Sequence, residues 1–174
     1  TKILATIVIG IGAIVIIGWV FDIQVLKSLS PSFVTMKLST AISFVMSGII
    51  IYLMNEIKAK NASIAKIFLP APIIVVIFFM VTLLLSSIVG VRTGIEDIFI
   101  KETEALKSVA PGRPSVGTMV SFILVVIVSL AFIINQQRNK LFFIIGDILV
   151  VIGGLSLIGY AADLPFLYYE IENR

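Results

Sequence analysis

The chain has 174 residues, of which 59% are hydrophobic and only 13% charged, with a mean hydropathy of +1.17 and a formal net charge of +3. A soluble domain averages about 25% charged residues and cannot hide this much apolar surface, so an integral membrane protein is expected. The chain contains neither Cys nor His, which excludes disulfides, thiolate metal sites and His-ligated haem, zinc or copper within it.

The apolar residues fall in blocks of roughly 20, long enough to cross about 30 Å of hydrocarbon as helices. The first run, 3–20 (ILATIVIGIGAIVIIGWV), is too long and continuous for a cleaved signal peptide. It leads into an elbow at 21–37, which contains LKSLSP (26–31) and reads as a surface segment. The second run, 38–55, carries Ser39, Ser43 and Ser47 at i, i+4 spacing, with Thr40 beside them and Gly48 following. After NEIKAKNASIAK comes the third run, 69–90, with Pro70 and Pro72 at its start, where proline is tolerated.

The following segment, 91–115, has Thr93 and Glu96 at capping-box spacing and Ile95, Ile98, Phe99, Leu106 and Val109 at helical spacing. A short amphipathic helix lying on the outer membrane surface is expected there. The fourth run, 116–135, carries Thr118 and Ser121, and the fifth, 141–160, carries Asp147. None of the runs alternates polar and apolar residues as barrel strands do, so five transmembrane helices are expected in a single domain, 1–174.

Loop charge orients the helices. Lys2, Lys58, Lys60, Lys66, Arg138 and Lys140 lie on one side with Glu56 as the only acid, whereas the other side is balanced. The basic side is expected to be cytoplasmic, which puts the N-terminus inside and residue 174 outside a cytoplasmic (inner) membrane. The basic residues do not gather on one face, so nucleic acid is not an expected partner. The lipid bilayer is.

The elbow recurs. LKSLSP (26–31) is echoed by LKSVAP (106–111), and MKLSTAISFV (36–45) falls on PSVGTMVSFI (114–123), pairing Thr40 with Thr118, Ser43 with Ser121 and Phe44 with Phe122. GWVFDI (18–23), GVRTGI (90–95) and GYAADL (159–164) mark three outer elbows. The pattern is two and a half helical hairpins repeated in parallel, the third lacking its returning helix.

SFVTMKLSTAISFVMSGIIIYL, PGRPSVGTMVSFIL and LIGYAADLPFLYY resemble the N-terminal membrane domains of bacterial and archaeal sensory proteins, mainly histidine kinases and diguanylate cyclases. The resemblance implies a sensory input domain of six helices that relays an extracytoplasmic or membrane stimulus to a cytoplasmic output module, within a homodimer or a larger complex. It further implies an outer cleft lined by Trp19, Tyr160, Pro31, Pro111 and Pro165, near which Arg113 could recognise a solute. Met119 and Val120 depart from the family's Thr-Ala, and Val126 stands where Gly48 would lie. Beside this stand a structural subunit of a membrane complex and, behind both, a small transporter or channel component.

The candidate polar residues have two readings. Ser39, Thr40, Ser43, Ser47, Thr118 and Ser121 either pack helices closely, adding interhelical hydrogen bonds of about 0.6–2 kcal/mol each, or line a pocket that responds to ligand or membrane state. Asp147, roughly 9 Å inside its span, is a proton or cation site, a titrating switch, or an interfacial acid bonded to Arg138 or Lys140. Trp19 and Tyr160 also fit an ordinary aromatic belt. With no span carrying a Lys, no GxxxxGK loop and no nucleophile–base pair, neither catalysis nor a cofactor is expected.

Overall fold

In hydrocarbon each backbone N–H and C=O must be satisfied within its own segment, and runs of Ile, Val and Leu this long meet that demand as helices despite their β-branched content. The computed structural model describes residues 1–28, 35–59, 62–91, 93–95, 112–135, 139–162 and 164. Among them it contains helices α1 (Lys2–Val20), α2 (Gln24–Lys27), α3 (Leu38–Lys58), α4 (Ala62–Phe68), α5 (Pro70–Val89), α6 (Val116–Ile134) and α7 (Asn139–Ala161), and no strand. By length and composition five of these helical stretches can cross a membrane, as expected for a multi-pass membrane protein.

The third crossing differs from its expected bounds. Leu69 keeps right-handed helical dihedrals (φ −59°, ψ −38°), and its N–H donates to the Ala65 carbonyl at 3.0 Å. The turn at Leu69 therefore joins α4 to α5, and the apolar stretch runs from Ser63 to Val89, 27 residues. Pro70 opens α5, where its missing N–H costs least. Part of what reads as a basic connecting loop is thus helix. At the other end Gly90 caps α5 with φ 72°, a left-handed conformation that favours glycine, and donates to the Ser86 carbonyl.

Packing has two parts. Ile50 and Ile57 of α3, Ile73, Val76, Met80 and Leu83 of α5, and Met119, Phe122, Val126 and Phe132 of α6 form the main apolar core, into which α4 adds Ala65. Phe44 meets the Phe122 ring edge-on at 5.4 Å. The second part is the antiparallel pair α1–α3, whose backbones meet closely at glycines. A Cβ on Gly48 would lie 2.9 Å from the Ala5 carbonyl and 2.5 Å from Ile9 Cγ1; one on Gly12 would lie 2.7 Å from the Ala41 carbonyl. Ala5 and Gly12 on α1, and Ala41 and Gly48 on α3, thus interlock at matching seven-residue spacing.

Helix α7 stands apart. It packs on α6, while its lower end meets Phe132 (ring centroids 6.2 Å apart) and Lys58, whose ammonium lies 5.6 Å from the Phe142 ring. Only 6% of its span is buried, against 28–39% for the other four.

The proposed amphipathic helix in 91–115 lies outside the described residues over 96–111. In the elbow 21–37 the described helical piece is the four-residue α2.

Candidate functional site

The serines of α3 share one face. Ser39, Ser43 and Ser47 lie on the side of the helix that carries Ile50 and Ile57 into the core with α5 and α6, and away from Ala41 and Gly48, which meet α1. All three are buried, and none of the three hydroxyls has a hydrogen-bond partner among the described residues. This sets them apart. Elsewhere Ser121 donates to Gly117 O, Ser129 to Val125 O, Ser156 to Ile152 O and Thr82 to Phe78 O, the usual way a helix satisfies a hydroxyl in an apolar setting. A buried hydroxyl without a partner costs about 1–3 kcal/mol, so the stripe concentrates unsatisfied polarity in the core.

The sequence-level pairing of Ser43 with Ser121 and of Thr40 with Thr118 does not extend to their bonding. Ser121 is satisfied within α6, and Thr118 is held by Ser115, the α6 N-cap: the hydroxyls are 2.9 Å apart, and Thr118 N–H donates to Ser115 Oγ at 3.3 Å. Thr40 is buried at the start of α3. The polar candidates therefore divide into a capped, internally bonded α6 set and, on α3, the three serines without a partner among the described residues.

Asp147 lies eight residues into α7, about 12 Å along its axis. It is exposed on the side of α7 away from α6 and makes no ion pair or hydrogen bond with a described residue. The anticipated bond to Lys140 is not present, and Arg138 lies outside the described residues.

The outer-cleft candidates are committed to separate elbows. Trp19 is buried, donates from Nε1 to the Met36 carbonyl at 2.9 Å and lies under the Lys27 ammonium, 4.6 Å from its ring centroid. Arg113 donates to the Val91 carbonyl at 3.0 Å, which also accepts from Ser86 Oγ at 2.7 Å. Tyr160 is half-buried near the end of α7. Pro31, Pro111 and Pro165 lie outside the described residues.

Sequence reasoning placed Lys27 only within a surface elbow. Its side chain is 6% exposed, ion-paired with Asp22 and laid over Trp19. The clue was local: Asp22, with φ 56°, turns the chain so that Lys27 folds back on it. Among the described residues no group of His, Cys, Asp and Glu could hold a metal ion. The chain matches no family model, and no curated protein or solved structure shows significant similarity to it.

Proposed function

We propose that the chain is the membrane-embedded input domain of a sensory protein, relaying an extracytoplasmic or membrane stimulus to a cytoplasmic signalling module. In this reading the helices form two and a half parallel hairpins in a cytoplasmic membrane, with the N-terminus inside. A further crossing beyond Arg174 then brings the chain to the cytoplasm.

The observation that carries the reading is the Ser39–Ser43–Ser47 stripe. A core with three unpartnered hydroxyls facing α5 and α6 is poorly optimised for one static packing. A stimulus that favours an arrangement in which these hydroxyls gain partners shifts the population toward it, by its difference in affinity for the two states. Helix α7, lightly held, is the element such a shift moves with least loss of packing.

The test uses the full-length gene product. A sixth apolar span followed by a soluble signalling module is expected downstream of residue 174, and S43A/S47A should displace the basal output of that module. A stop codon directly after Arg174, or output unchanged by the double substitution, sinks the reading.

The runner-up is a structural subunit of a larger membrane complex, favoured by the bare surface of α7. A transporter or channel has less support, since Asp147 is the one ionisable side chain well inside a span.

A further inference from the structure

Helix α7 restates α1 almost position for position. Offsetting the chain by 141 residues places Ile7 on Ile148, Ile11 on Ile152, Gly12 on Gly153, Ile17 on Ile158 and Gly18 on Gly159. The same offset relates the hydrogen bonds that close the two helix ends. Ile23 N–H donates to Gly18 O at 2.8 Å, and Leu164 N–H donates to Gly159 O at 2.8 Å. Phe21 N–H donates to Ile17 O, and Ala162 N–H to Ile158 O.

In α1 the face formed by Ala5, Ile9, Gly12 and Ile16 is the one that receives α3. Its counterpart in α7 is Gly146, Val150, Gly153 and Leu157. The small residues are kept, even simplified to glycine, and the flanks Ile9 and Ile16 are kept as Val150 and Leu157, while the buried Val15 is matched by Ser156. Among the described residues no helix covers this face. A Cβ on Gly146 or Gly153 would meet nothing within 4 Å, where one on Gly12 meets backbone at 2.7 Å; Val150 and Leu157 are 74% and 72% exposed.

We propose that this face of α7 is the docking site of the helix that follows it in the same polypeptide. That helix returns across the membrane antiparallel to α7 and carries two Gly, Ala or Ser residues seven positions apart, as Ala41 and Gly48 stand in α3. Small residues at matching spacing on both partners allow the backbone approach that drives helix association in lipid, where no hydrophobic gain is available.

Three observations select this occupant. The preceding outgoing helices, α1 and α5, are each packed by the membrane-crossing helix that next follows them, α3 and α6. The end of α7 closes with the same hydrogen bonds that lead α1 into its returning partner. Asp147, at the edge of this face, is exposed and has no partner among the described residues, and an acid facing lipid costs about 2.5–3.5 kcal/mol even on the insertion scale, which favours a neighbouring helix over bare lipid beside it. A second copy related by an axis along the membrane normal fits less well. It presents its α7 parallel, not antiparallel, and opposes Asp147 to Asp147.

The proposal shares with the sensor reading only the further crossing, and holds equally for a scaffold. A photoreactive diazirine amino acid is placed at Val150 or Leu157 of the full-length protein in native membranes, with Ile148 and Leu155, counterparts of the lipid-facing Ile7 and Ile14, as controls. Crosslinked peptides are identified by mass spectrometry. Adducts from 150 and 157 to a later helix of the same chain are expected, lost in G153L, with lipid adducts from 148 and 155. Adducts to a second copy, to another protein or to lipid alone overturn the proposal, as does a gene without a further span. Adducts to a downstream helix in a protein with no signalling module would retain this proposal and sink the sensor.

Discussion

Trp19 and Met36 tie the C-terminal end of α1 to the approach of α3: the indole N–H donates to the Met36 carbonyl at 2.9 Å across the elbow. The same ring carries the Lys27 ammonium on its face, so one side chain fastens three parts of the turn. W19F removes the donor, weakens the cation–π contact and leaves a part-buried carbonyl short of a partner. Destabilisation of about 1–3 kcal/mol is expected, read as a lower melting temperature in detergent.

The glycines of α1 and α3 should respond in opposite ways. G48V drives a branched side chain into the Ala5 carbonyl and Ile9, and overpacking of this kind costs about 1–3 kcal/mol. Gly10, two residues from Gly12, has open space at its Cβ position. G10A should therefore be neutral or stabilising by up to about 1 kcal/mol from helix propensity. Equal melting shifts for the two variants would contradict the α1–α3 interface.

Removing an unpartnered hydroxyl relieves a cost. S43A is expected to raise thermal stability, by at most about 1–3 kcal/mol, because the burial penalty disappears and little bonding is lost. S115A is its counterpart: it deletes a working N-cap of α6 and should lower stability by about 0.5–2 kcal/mol. Loss of stability in S43A would mean that the hydroxyl has a partner.

Insertion of α7 carries the cost of one acid. D147L should favour membrane insertion of this segment by about 2.5–3.5 kcal/mol, measured by glycosylation mapping of α7 in a reporter protein. The assay isolates the segment, so unchanged insertion would place Asp147 outside the hydrocarbon.

Much of the fold was legible because the bilayer is an undemanding reader. Helices in lipid need length and apolarity, and the five runs supply both within a few residues of their observed ends. The exception, α4 joined to α5, escaped because Lys66 and the two prolines read as punctuation, whereas a proline in the first turn of a helix breaks nothing. The site was less legible. Serine at every fourth position announces a polar stripe, but Ser121 and Ser129 satisfy themselves on their own helix while Ser43 does not, and spacing is blind to that difference. Lys27 shows the same limit: a lysine in a polar elbow reads as solvated until the turn at Asp22 folds it inward.

The joined α4–α5 rod sets a length against the membrane. As one straight helix its 27 residues would rise about 40 Å against a hydrocarbon about 30 Å thick, and Pro70 and Pro72 at the junction let α4 bend away from the axis of α5. Such a rod either leans well away from the membrane normal or lifts its first turns, with Ile64, Ile67 and Phe68 exposed on them, into the headgroups. A tilt of this helix that followed bilayer thickness would be passed on through Ala65 and Leu69, which share the core with residues of α3 and α6.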